Sequence, residues 1–232
     1  MHVSQLSKNY LPDLFKDVAE RCVLFRDFIK LTPEEQKGKI LFRHDVDDDL
    51  PRSVAMAELQ HKCGVKATYF ILDTAPYWVP TDVKMWRQIH RIKNLGHEVA
   101  WHNNVLSRWV ALPQPIEDLI LEPLNHFALE GIKIHGSASH GDPLCYKHGF
   151  VNYEVFAECG ISKKSAAFAE PTHVFPKVSM KTFGLQYEAY HLPKDQYFSE
   201  SGGNWGVVPD KDHFENRELI TQILIHPQWW TL

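Results

Sequence analysis

Between residues 39 and 136, short apolar runs and amphipathic stretches alternate four times, and this alternation leaves the chain few folds to choose from. "KILFRH" (39–44) reads as a strand, and "PRSVAMAELQHKCG" (51–64) as a helix with Pro51 in its first turn and Gly64 as its stop. "VKATYFIL" (65–72) is a second strand. "TDVKMWRQIHRIKNLG" (81–96) comes next as a helix with Thr81 as N-cap and Val83, Trp86, Ile89 and Ile92 facing inward. "HEVAW" (97–101) is a third strand. "QPIEDLILEPLNHFALEG" (114–131) is helical by the spacing of Ile116, Leu119, Ile120, Leu124 and Phe127, although Pro123 inside it demands a kink or break. "IKIHG" (132–136) is the fourth strand. Strands separated by helices predict an α/β fold, a mostly parallel sheet or barrel with right-handed crossovers. Ahead of it, "LPDLFKDVAERCVLFRDFIK" (11–30) has the three-and-four spacing of an amphipathic helix that closes one end. Beyond residue 136 the pattern loosens. "VNYEVFAECG" is a short helix, "SAAFA", "LQYEAYHL" and "WGVV" are candidate strands, and "TQILIHPQWW" is a last apolar strand ending in His226.

Composition narrows the class further. A chain of 232 residues with 44% hydrophobic side chains can bury a sizeable core as one domain, 1–232. The net charge of −4 without a long basic run argues against a nucleic-acid partner, which needs a concentrated Lys/Arg face. No apolar run reaches 18 residues and no signal peptide opens the chain, so no membrane insertion and a cytoplasmic location are expected. Cys22, Cys63, Cys145 and Cys159 are too scattered for a zinc knuckle or a disulfide framework.

In parallel α/β folds, reactive groups collect where the strands end. Strand one ends in His44, Asp45 and Asp47; strand three in His102, Asn103 and Asn104; strand four at His135, with His140 nearby; the last at His226. Aspartate and histidine form the ligand set of a borderline divalent ion, and a catalytic ion commonly has three protein ligands and a water. Asp45 and Asp47 lie two apart, so an extended segment would point them the same way, whereas a turn could put one on metal and the other on its water. Asp48 and Asp49 read as helix-start acids before Pro51. His97 reads as a hydrogen-bonding residue in the turn before strand three, and His61, His90 and His126 as helix-surface residues.

Four of these stretches, taken in order, resemble carbohydrate esterase family 4, the NodB-homology polysaccharide deacetylases. "ILFRHDVD" is similar to the family's first motif, "GVKATYFIL" to its second strand, "NLGHEVAWH" to the approach to its metal-binding motif, and "ILIHP" to its closing motif. The resemblance implies a distorted (β/α)7 barrel, with the 11–30 helix packed on it. It also implies one divalent ion, zinc with cobalt, nickel or manganese as alternatives. Asp45 is then the general base, Asp47 and His102 are metal ligands, and His226 is the general acid. Where the family has a second ligand His, this chain has Leu106, and "IKIHGSASHGD" replaces the family's Arg-Pro motif. His135 or His140 then supplies the third ligand, with His135 preferred for its place at the strand end. "RHDVD", "SGGNW" and a final "HPxxW" resemble a branch associated with bacterial surface polysaccharide. The implied partner is an N-acylated sugar or a polysaccharide precursor. Two rivals stand beside this reading: a sugar-binding member that no longer hydrolyses, and an Asp-x-Asp glycosyltransferase or phosphatase. The second lacks a Gly-rich phosphate loop and leaves His102 and His226 unexplained.

Overall fold

The computed structural model describes residues 1–162 and 175–232, so the candidate strand "SAAFA" lies outside the described residues. Helices α1 (Tyr10–Val18), α2 (Phe25–Phe28) and α3 (Pro33–Gln36) precede strand β1 (Ile40–Val46). Next in the chain are α4 (Leu50–Lys62), β2 (Thr68–Leu72), α5 (Val83–Asn94), β3 (Glu98–Asn103), α6 (Val105–Ala111), α7 (Ile116–Leu129), β4 (Gly136–Ser139) and α8 (Pro143–His148). Strands β5 (Tyr187–Glu188), β6 (Gln196–Ser201), β7 (Asn204–Trp205) and β8 (Thr221–Ile225) complete the chain. The strands form one eight-stranded sheet in the order β5-β4-β3-β2-β1-β8-β6-β7. Parallel pairing joins β1 to β2 and β8, β8 to β6, β3 to β4, and β4 to β5; among the described residues the β6–β7 hairpin is antiparallel. The protein is therefore α/β with a sheet dominated by parallel pairs, as the alternation predicts.

The chain divides into two compact units. The first comprises Met1–Ile71, Ala75–Val99 and Pro193–Leu232. Its core holds Phe15 edge-on to Phe42 and Phe25 edge-on to Phe70, all fully buried. The single helix expected over 11–30 is here two pieces. At Val23 the backbone leaves helical geometry to donate its N–H to the Ile40 carbonyl (3.1 Å), and Cys22 bridges Ile40. Helix α2 then restarts because buried side chains satisfy its opening donors, Phe25 N–H on Thr68 Oγ1 (3.3 Å) and Arg26 N–H on Glu98 Oε2 (3.0 Å). Asp49 caps α4, accepting the Arg52 N–H at 2.9 Å, as its place before Pro51 suggests. The cap of α5 is Asp82, one residue beyond the expected Thr81.

The second unit comprises Leu72–Thr74 and Ala100–Leu192. Helix α7 runs through Pro123 unbroken. The Leu119 carbonyl, which Pro123 cannot serve for want of an N–H, accepts from Arg108 Nη1 at 3.4 Å instead. Strand β4 is not "IKIHG" but the adjoining "GSAS". It carries no apolar alternation because Tyr187 lies against it: a Cβ on Gly136 would come within 2.4 Å of the Tyr187 ring. The register Trp101↔Ser137, His102↔Ala138, Asn103↔Ser139 sets the loop that leaves β4 beside the end of β3.

Candidate active site

In the first unit, β1 carries Arg43 and Asp45 on one face and His44 on the other, by strand alternation. Arg43 Nε and Nη2 donate to Asp45 Oδ1 and Oδ2, both at 2.7 Å, and both side chains are buried. On the opposite face His44 stacks on Tyr69 with ring centroids 4.5 Å apart and lies 2.8 Å from Gln60 Nε2. Burial is the main force pushing the His44 pKa down to about 3, so it is neutral and accepts from Gln60, whose other amide atom takes the Tyr69 hydroxyl. His97, likewise pushed by burial to about 4, lies 2.9 Å from the Ala57 carbonyl and accepts the Ala67 N–H, the turn-holding role expected of it.

His226 directly succeeds β8 and is held by β6. Its backbone N–H donates to Glu200 Oε2 at 2.9 Å, and its Nδ1 lies 3.3 Å from the same oxygen. Glu200 is fully buried, and its other oxygen accepts the Gly203 N–H in the β6–β7 turn. The opposite ring nitrogen, Nε2, stands 3.7 Å from Asp47 Oδ2 and 4.0 Å from Asp45 Oδ2. Burial opposes charge on His226, but the Glu200 hydrogen bond and the Asp45, Asp47 and Glu200 carboxylates outweigh it and raise the pKa to about 9. The ring is thus an imidazolium at neutral pH, with one N–H directed at an aspartate pair.

In the second unit, His102 is buried on β3 and its Nδ1 lies 2.9 Å from the Ala138 carbonyl of β4. That contact places the proton on Nδ1 and leaves the lone pair on Nε2. His140 Nδ1 stands 3.3 Å from this Nε2, the two rings nearly perpendicular at 81°. The backbone of His140 is fixed at both ends: its N–H donates to the Asn103 carbonyl (2.9 Å) and its carbonyl accepts from Asn152 Nδ2 (2.9 Å). Asn104 bonds both Asn152 and Asp142, so the run of asparagines at the end of β3 braces this loop. Two nitrogens on one tetrahedral ion, with bonds of ~2.0–2.1 Å, lie about 3.3–3.4 Å apart. The His102–His140 spacing is that of a hydrogen bond from His140 Nδ1 to His102 Nε2 and matches that of two ligands on one ion, and imidazole nitrogen suits a borderline divalent ion.

Where the strands end decides which of the expected residues meet. Asp45, Asp47 and His226 come together in the first unit. His102 lies in the second unit beside His140 and not beside a strand-end His135. With β4 starting at Gly136, His135 precedes the strand and its carbonyl accepts the Gln186 N–H (2.7 Å), while His140 directly succeeds the strand's last residue. Leu106, in the first turn of α6, is fully buried, so this position turns into the apolar core. Sequence reasoning did not place Arg43 or Glu200. Arg-x-Asp on a strand, which shares one face, was the available signal for the first; Glu200 had none beyond its place before Gly202–Gly203. Among the tryptophans, Trp101 and Trp205 are buried, Trp78 packs edge-on to Trp86, and Trp229 is exposed.

The fold and these side chains define an α/β protein with a buried carboxylate–imidazolium cluster and an imidazole pair. No family model matches the chain, and no curated protein does. Among solved structures it is similar to the chitin deacetylase of the fungal pathogen Colletotrichum lindemuthianum, with a TM-score of 0.43 and 11% sequence identity, covering 83% of this chain and 74% of that one. No helix among the described residues is long and apolar enough to cross a membrane.

Proposed function

We propose that the protein is a metal-dependent hydrolase that removes the acyl group from an N-acylated sugar, breaking a carbon–nitrogen bond. In this reading His102 and His140 hold one divalent ion, and Asp47, the carboxylate ligand that the sequence resemblance implies, completes the donor set. The observation that carries the reading is the His102–His140 pair, set at ligand spacing with the His102 tautomer fixed by the Ala138 carbonyl. His140 takes the ligand place expected for His135, because it is the residue that leaves the end of β4. Zinc suits one carboxylate and two imidazoles, with cobalt, nickel or manganese as substitutes. Bound there, such an ion supplies Lewis acidity to the acyl oxygen and acidifies a water.

The chain's own groups do the proton work. Asp45 accepts the proton of the attacking water, and the Arg43 fork fixes its orientation. An amide nitrogen leaves poorly unless protonated, and His226 is the imidazolium that donates from Nε2, a transfer worth ~10²–10⁴ in rate. Glu200 sets the ring by its grip on Nδ1 and on the backbone. The products are a free acid and an amino sugar. The substrate in this reading is a cytoplasmic precursor of a bacterial surface polysaccharide, which the resemblance of the C-terminal motifs supports. The test is amine release from N-acetylated sugars, free and nucleotide-linked, by zinc-loaded protein. H226A should keep the metal and lose turnover; turnover that survives H226A contradicts the acid assignment.

A further inference from the structure

Asp47 stands one residue past the end of β1. A side chain that reaches it comes from the turn after β8, Pro227–Trp229, which closes with the Trp229 N–H on the His226 carbonyl (3.2 Å). Gln228 in that turn is tied at two points. Its side-chain Nε2 reaches Asp47 Oδ2 at 3.4 Å, and its backbone carbonyl accepts from Arg52 Nη1 at 2.6 Å. Arg52 is aimed in turn by Asp49, whose Oδ1 accepts the Arg52 N–H (2.9 Å) and whose Oδ2 pairs with Nε (3.1 Å). The oxygen that Gln228 holds is the one that faces His226 Nε2 at 3.7 Å. Gln228 and the His226 ring, from one turn and its strand end, thus face one oxygen of Asp47, which restricts the carboxylate's rotation about its own bond.

We propose that Gln228 is a positioning residue for the metal site: its side-chain amide, on a backbone anchored by Arg52 and through it by Asp49, orients the Asp47 carboxylate toward a divalent ion. The inference rests on Asp47 being a ligand, as proposed above. Groups that orient a metal ligand typically change affinity 10–100-fold when removed, because the ligand must then be ordered by the ion itself. It also gives the third and fourth acids of the "DVDDD" run unequal roles, with Asp49 serving the site through Arg52.

The test is zinc affinity of the full-length, metal-free protein, measured by competition with a chromogenic chelator, alongside thermal melts of the same metal-free samples. The variants are Q228M, which keeps length and backbone carbonyl but loses the amide, R52M, the double variant, and D47N. Q228M is expected to bind zinc at least ~10-fold more weakly with an unchanged metal-free melting temperature. R52M should weaken binding in the same direction, and the double variant should be no weaker than Q228M, since Arg52 acts through Gln228. R52M carries the same test if Q228M does not fold, because the Arg52 side chain is half exposed. Wild-type affinity in Q228M or, if it does not fold, in R52M, with D47N deficient, overturns the role of Gln228 and leaves Asp47 as a ligand. Wild-type affinity in D47N overturns both.

Discussion

Replacing Arg43 by Met keeps an apolar stem of similar length and removes the two charged hydrogen bonds that hold Asp45 at 2.7 Å. Both partners are buried, at 6% and 4% side-chain exposure, so solvent cannot take the guanidinium's place. Breaking a buried pair from one side costs ~3–5 kcal/mol, because the remaining charge has lost its counter-ion. The His226 imidazolium, 4.0 Å from Asp45, still offers part of that compensation, which places the expected loss at the low end, about 3 kcal/mol. For a chain of this length that is a drop in melting temperature of about 6–12 °C. The penalty belongs to the ionised carboxyl. Protonating Asp45 removes it, so the deficit of R43M should shrink as the pH falls into the acid range and grow as the pH rises. Urea unfolding of wild type, R43M, D45N and the double variant between pH 3.5 and 7.5 measures this directly. The double variant should be more stable than the two single losses added together, since neither charge is left alone. A loss in R43M below about 1 kcal/mol, or one that does not change with pH, would refute the account of this pair.

His44 and His97 have folded pKa values pushed down to about 3 and about 4, below their unfolded value of about 6.5, so the unfolded chain takes up protons first. Their contribution is complete above about pH 6.5 and is lost as the pH falls, by about 2 kcal/mol each between pH 6.5 and 5. H97N, which does not titrate, should roughly halve that acid slope in urea unfolding, and an unchanged slope would count against it. L106H puts an imidazole into the apolar core of the second unit and should cost about 2–4 kcal/mol without raising zinc affinity; a gain in affinity would show that this position can reach the metal after all. G136A pushes a methyl into the Tyr187 ring and should destabilise by about 1–3 kcal/mol in the same assay.

The strand–helix alternation up to residue 131 was legible because each element there has an apolar face with the right period, and turn residues such as Pro51, Gly64 and Gly96 mark the ends. Where tertiary contacts overrode the period, the reading failed. The 11–30 stretch keeps helical spacing throughout, yet its middle pairs with Ile40 and its second half is capped by Thr68 and Glu98, residues far away in sequence. Strand β4 has small residues where a pattern would be, because Tyr187 supplies the apolar surface, and the preceding "IKIH" resembled a strand more than the strand itself does. In the proposed site, that one shift moves the third ligand from His135 to His140. Asp45, Asp47, His102 and His226 stand out in the sequence because each breaks an apolar run at its end, and the roles given to them are those of the proposal. Arg43 and Glu200 do not, since a charge inside a strand has meaning only once its partner is known.

The central claim is tested most directly by zinc binding to metal-free protein, titrated by competition for wild type, D47A, H102A, H140A and H135A. Structural zinc sites bind with about 10–16 kcal/mol over four ligands, so each ligand is worth about 3–4 kcal/mol, or ~10²–10³ in affinity. One zinc per chain, bound that much more weakly in D47A, H102A and H140A and unchanged within a few-fold in H135A, is the predicted result. A wild-type chain that takes up no divalent ion, or binding that depends on His135 and not on His140, would contradict it.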